Sequence, residues 1–232
     1  MSPSRSTARD AAPSLFGAGP VIARLTPDKS SPLWVHVIVN GRRVAKLPAS
    51  RAAELGAHEG APWTDGLSRA AALATESLKA KLRAVKLLKV RDRASGELAA
   101  RLKRAGFSPA AIEQAIRELT AQSLLDDQAL ANSKARAAAA EGLSAAATED
   151  RLNKAGLSPG AAAHALAAVA AGGDLARATE QARNRAAKLP ESLDAPARYR
   201  RVLAALARLG YDQDIAQEAA AAAVPHGATP DA

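Results

Sequence analysis

Two closely similar nine-residue stretches constrain this chain more than any other feature. Residues 101–109 read R-L-K-R-A-G-F-S-P and residues 151–159 read R-L-N-K-A-G-L-S-P. A fainter copy, A-L-A-R-L-G-Y-D-Q, stands at 205–213. Each reads as a helix end, a glycine, an apolar residue and the start of the next helix. Gly106 can close a helix in the left-handed conformation, where a Cβ would clash. Phe107 then tucks into the core, Ser108 can cap the following helix, and Pro109 suits its first position, where a missing N–H leaves no bond unmade. Three copies of one helix–turn–helix joint predict a repeat protein.

Composition sets the character of those repeats. The chain has 232 residues, aromatics are only 3% of it, and alanine dominates the apolar count. Alanine favours helix strongly but buries little area, so slender helices with thin cores are expected. The absence of cysteine excludes disulfides, thiolate metal sites and Cys nucleophiles. A formal charge of +9 favours a polyanionic partner. No run reaches the roughly 18 apolar residues of a membrane span, and the start of the chain, with Arg5 and Arg9, does not read as a signal peptide. The expectation is a cytoplasmic monomer with no membrane association and no cofactor.

In chain order, residues 1–20 read as a disordered arm rich in Ser, Ala, Pro and Gly. Residues 21–66 read as a small β-rich module. Val21 to Leu25 is one strand, and Trp34 to Val39 is a second that runs into Asn40-Gly41, a strong hairpin signal, with Arg42 to Leu47 returning. His36 reads as a plain strand residue, since no other His, Asp or Glu stands at metal spacing. From Leu67 the chain is helical, with Leu78, Leu82, Val85 and Leu88 as the inward stripe of a long first helix. Aligning Gly106, Gly156 and Gly210 gives three-helix repeats at 67–125, 126–172 and 173–224, then a disordered tail at 225–232. The fold class is therefore mainly α: three tandem three-helix repeats in an elongated, curved array, preceded by the β-hairpin module. Gly106, Phe107, Ser108, Leu125, Gly156 and Gly210 are structural in this reading. So are Asp126 and Asp127, which stand before a helix and suit its positive end better than a metal.

The charge is uneven. Residues 67–125 carry twelve Lys and Arg against five Asp and Glu, a net +7, whereas 126–172 carry four against five, a net −1. Residues 173–208 carry eight against four, a net +4. The first basic cluster includes Lys79, Arg83, Lys86, Arg91, Arg93, Arg101, Lys103 and Arg104; the second includes Arg183, Arg185, Arg198, Arg200 and Arg201. These are the candidate partner- or phosphate-binding residues, able to grip phosphates without reading bases. Stacking aromatics of a single-strand binder are missing, which favours a protein or nucleoprotein partner. Four scattered histidines, no P-loop, no His-Glu-x-x-His and no nucleophile elbow argue against an enzyme.

The order of motifs resembles the RecX family, modulators of the RecA recombinase. Leu87-Leu88-Lys89-Val90-Arg91-Asp92-Arg93 with Glu97-Leu98, Leu102 and Gly106-Phe107 is similar to the family's first-repeat signature. Leu125-Asp126-Asp127 with Leu130-Ala131 resembles the opening of its second repeat, and the joint at Leu152 to Leu157 its close. There are departures. Ala94 stands where the family usually has Ser, so the helix cap is expected to shift by one residue to Ser95. Leu130 replaces an aromatic. Ala147 and Thr148 stand where an Arg and an apolar residue are typical, which removes a basic contact and thins that core. The resemblance implies a non-enzymatic regulator that lies in the groove of the RecA–single-stranded DNA filament and restrains ATP hydrolysis and strand exchange. The alternative is a free-standing, non-sequence-specific DNA-binding protein built from helix–turn–helix units.

Overall fold

Alternating valines, then alanine-rich helices, divide the chain into two kinds of structure. The computed structural model describes residues 19–224. The arm expected at 1–20 (Gly19 and Pro20 apart) and the tail expected at 225–232 lie outside the described residues. Two compact units result, one ending at Lys79 and one beginning at Ala80.

In the N-terminal unit, β1 (Ile22–Pro27), β2 (Trp34–Val39) and β3 (Arg42–Pro48) form an antiparallel sheet in that order. Asn40 and Gly41 both take positive φ, 50° and 73°, as a tight right-twisted hairpin requires. The period-2 alternation turns Val35, Val37 and Val39 towards a core with Ile22 and Leu47. A short helix, α1 (Ala49–Ala52), follows β3, and Ala71 of α2 (Asp65–Leu88) closes this core. On the opposite face Lys46 Nζ lies 5.3 Å from the centre of the Trp34 ring. The Asp28 carboxylate accepts from Lys46 Nζ at 2.5 Å and pairs with His36 Nε2 at 3.0 Å. The Lys46 hydrogen bond, with those from Ser30, holds the Asp28 carboxyl far below the usual carboxylate range.

The helical unit contains three successive three-helix repeats. The first joins the end of α2 to α3 (Ser95–Arg104) and α4 (Pro109–Ala121). The second is α5 (Asp127–Ala140), α6 (Ala145–Lys154) and α7 (Pro159–Ala170). The third is α8 (Asp174–Ala186), α9 (Ala195–Arg208) and α10 (Gln213–Ala223). Each has its own small core. Leu98, Leu102 and Leu119 fill the first, Leu152 the second, and Val202 and Leu206 the third. Around these few large side chains the walls are alanine: Ala131, Ala135 and Ala165 in the second repeat, Ala178, Ala182 and Ala219 in the third. Small walls let the helix axes approach closely, so modest side chains suffice to fill the interior.

The joints repeat in detail. Gly106, Gly156 and Gly210 have φ of 88°, 73° and 84°. The N–H groups of Phe107 and Tyr211 donate back to the carbonyls of Leu102 and Leu206, the six-residue closure of a Schellman turn. Ser108 Oγ caps α4 by accepting from Ala111 N.

Repeats are also joined to one another through these turns. Gly96 N, at the start of α3, donates to Gly156 O at 2.9 Å. A Cβ on Gly96 would stand 2.6 Å from that oxygen. At the next seam Ser144 N donates to Leu209 O, and Ser144 Oγ donates to Gly210 O at 2.7 Å. Here a Cβ on Gly210 would stand 2.7 Å from Ala147 Cβ and 3.0 Å from Ser144 Oγ, so the seam needs glycine at 210. Thr148, next to Ala147, is fully buried, and its hydroxyl donates to Ser144 O at 2.8 Å, so no polar group is left unpaired.

The first seam makes a prediction. Gly96→Ala should lower stability by about 2 kcal/mol through overpacking, offset by up to about 1 kcal/mol of better helix propensity. Gly160→Ala, with open space around the added carbon, should instead be neutral or stabilising. Urea midpoints of the two variants check the contrast.

Candidate functional site

The basic residues of the first repeat do not share one environment. Arg83 and Lys86 are exposed on α2, and Lys103 and Arg104 are exposed at the end of α3. Lys79 is exposed as the last residue of the N-terminal unit. Arg101 is half-buried and Arg91 is exposed in the loop between α2 and α3, whereas Arg93 is 8% exposed. Only Asp92 separates Arg91 from Arg93, yet their environments diverge.

Glu97 is the cause. Its Oε1 accepts from Arg91 Nη2 at 2.7 Å, from Arg101 Nε at 2.9 Å, and from Arg93 Nη1. Arg93 Nε also donates to Leu87 O at 3.2 Å, tying the α2–α3 loop back to α2. Burial alone would push the Glu97 carboxyl up, but the hydrogen bonds from Arg101, Arg93 and Arg91 together outweigh it and hold the carboxyl below its ordinary value. Arg93 is thereby a structural cation. Charge clustering in the sequence groups it with the candidate binding residues and does not single out Glu97. Helical spacing holds the missing signal, since Glu97 stands four residues from Arg93 and four from Arg101.

Three cations of this repeat converge. Arg83 from α2 and Arg101 and Arg104 from α3, with Leu87 and Ala105, line an open hollow of about 300 Å³. Three guanidiniums and an apolar base suit planar oxyanions, either phosphate or carboxylate, by bidentate hydrogen bonding.

The other two repeats offer less. In the second, Arg151 pairs with Glu141 at 2.8 Å and Lys154 with Asp150 at 2.5 Å, so two of its four cations are paired internally. In the third, Arg183 and Arg185 are two residues apart on α8 and point about 200° apart around its axis. Arg198 is half-buried and donates to Ala186 O at 3.2 Å, while Arg200 and Arg201 are exposed on α9. The second basic cluster is therefore divided over several faces.

The paired aspartates divide their work. Asp126 caps its own helix, accepting from Ala129 N at 2.9 Å. Asp127 instead reaches two other helices. Its carboxylate accepts from Ser95 N at 2.8 Å and Ser95 Oγ at 2.5 Å, at the start of α3, and from Ser158 N at 2.8 Å, before α7. The cap of α3 does not shift to Ser95; Ala94 is the N-cap, without a side-chain bond, and Asp127 supplies the acceptor from the next repeat. In the following repeat Asp174 has the matching role, accepting from Ala145 N at 3.1 Å. Leu125, directly before the pair, is buried in the first core.

Among the described residues no cluster of His, Cys, Asp and Glu is placed to hold a metal ion, and no helix is long and apolar enough to cross a membrane.

Comparison with known proteins places this geometry. Residues 80–119 match the family model for RecX, first three-helix domain. A crystal structure of a regulatory protein RecX superposes with a TM-score of 0.61 at 18% identity, covering 84% of this chain and 96% of that one. The crystal structure of RecX from Lactobacillus salivarius superposes with a TM-score of 0.52, also at 18% identity, covering 62% of this chain and 94% of that one. At such identities the superpositions establish the fold. No curated protein sequence matches.

Proposed function

We propose that this chain, a RecX-family protein by its three-helix unit at residues 80–119, binds the RecA–single-stranded DNA filament and restrains its ATP hydrolysis and strand exchange. The observation that carries the reading is the coincidence of two features in one segment. The residues matched to the family are also those that gather Arg83, Arg101 and Arg104 around a single hollow. A nucleoprotein filament offers both phosphates and acidic side chains to such a hollow. The exposed cations of the third repeat, Arg183, Arg185, Arg200 and Arg201, supply a second, weaker contact. Two linked contacts raise avidity without new chemistry. No covalent step is required of the protein.

The test is RecA ATPase on single-stranded DNA, with co-sedimentation on the same samples. Arg83→Glu combined with Arg104→Glu changes only exposed residues and should weaken inhibition by about tenfold or more, in line with the loss of two charge-assisted contacts. Inhibition unchanged in a folded double variant would overturn the reading. Arg93 is left out of the set because reversing a buried cation tests folding, not binding. Titration of single-stranded DNA without RecA, at several salt concentrations, separates filament binding from free DNA binding.

A further inference from the structure

On the α3–α4 side of the first repeat lies a second hollow, of about 460 Å³, whose chemistry is unlike that of the arginine hollow. Its floor is apolar, formed by Ala99 and Ala100 of α3 and by Ile112 and Ile116 of α4. Its rim is charged, with Lys103 on one side and Glu113 and Arg117 on the other.

The hollow arises from a size mismatch specific to this repeat. Aligned on the joint glycines, Ala99, Ile112 and Ile116 correspond to Leu203, Ala216 and Ala220 in the third repeat. There the large residue sits on the first helix of the pair, packs on the core, and faces small residues on the second. In the first repeat the order is reversed: Ile112 is buried in the core with Leu98 and Leu102, Ile116 is half-buried against that core, and the short Ala99 and Ala100 of α3 leave the outer edge of the isoleucine pair uncovered. In the second repeat the place of Ala99 is taken by Glu149, which is exposed, so no apolar floor forms. A solvent-open apolar floor ringed by charges is the form of a site for a protein side chain.

Charge selects the occupant. Arg117 pairs with Glu113 on its own helix, so those two largely cancel. Lys103 is exposed and has no acidic partner among the described residues. The rim is therefore net positive. The geometry points to a docking site for an acidic segment of a partner protein, one apolar side chain seated over Ile116 and the uncovered edge of Ile112 while a flanking carboxylate meets Lys103. The inference stands on the packing of this repeat and holds whether or not the filament is the partner.

The chain itself provides the probes, because its isoleucines are Ile22, Ile38, Ile112, Ile116 and Ile215. The full chain, labelled at the isoleucine δ1 methyls, is titrated with a short synthetic peptide of Asp and Glu carrying one central Phe. Saturable shifts confined to Ile112 and Ile116 are expected. Replacing the peptide's Phe by Gly, or Lys103 by Glu in the protein, should weaken binding by about tenfold. Ala100→Trp fills the hollow and should abolish the shifts, with the Ile22, Ile38 and Ile215 signals unchanged as proof of folding. Equal binding by the Phe-free peptide, or binding that survives Ala100→Trp, would overturn the proposal, as would shifts spread over all five methyls. A single-stranded oligonucleotide that shifts the same two methyls would also overturn it, in favour of a nucleic-acid surface.

Discussion

Asp127→Ala should lower the stability of the helical unit by about 3 kcal/mol, although it removes only one short and partly exposed side chain. The carboxylate accepts three hydrogen bonds, two from Ser95 and one from Ser158 N. Each donor belongs to the N-terminal end of a helix other than its own, where unpaired N–H groups and the positive end of the dipole both favour an anion. Charge-assisted bonds are worth about 1.5–3 kcal/mol singly, and removing the acceptor strands the Ser95 and Ser158 donors at half-buried positions. Water can recover some of that loss, which places the total near 3 and not near the sum. Asp126→Ala, which loses only the local cap to Ala129 N, should cost about 1 kcal/mol. Urea titrations followed by far-UV circular dichroism distinguish the two. Equal losses would show that Asp127 is merely another local cap.

That pair of residues marks the border of what could be read from the chain alone. Rules acting within about six residues were legible: the glycine at each joint, Ser108 at the start of α4, the Asn40-Gly41 turn and Asp126 before α5. The repeats followed because these local signals recur at fixed intervals. Contacts between repeats were not legible. Ser95 and Asp127 are 32 residues apart, and nothing local distinguishes an aspartate that caps its own helix from one that caps its neighbour's. Ala147 looked only like a lost basic contact, and nothing local shows that its Cβ faces the Gly210 turn of the next repeat. In the site, spacing identified a basic region but could not sort its members. Whether Arg83 is free or Arg93 enclosed depends on how the α2–α3 loop folds back on α2, through the bond to Leu87 O.

Glu97→Ala is the substitution expected to rival Asp127→Ala, because it leaves the enclosed Arg93 without its counter-ion. Removing one member of a buried pair costs about 3–5 kcal/mol; the 23% exposure of the Glu97 side chain argues for the lower end, about 3 kcal/mol. Arg91→Ala should change stability by less than about 1 kcal/mol, since Arg91 is 54% exposed and its ion pair faces water. A double-mutant cycle of Arg93→Ala and Glu97→Ala should return a coupling of about 1–3 kcal/mol. Acid provides an independent check. The folded carboxyl lies below its ordinary value of 4.5, so folding favours the ionised form. The stability this contributes is fully present above about pH 4.5 and is lost as pH falls through the lowered folded value. The gap in unfolding free energy between wild type and Glu97→Gln should therefore be flat from neutral pH down to about 4.5 and narrow below it. A gap that widened on acidification would mean that Glu97 is protonated in the folded protein, and the three arginines would then have to be held by something other than its charge.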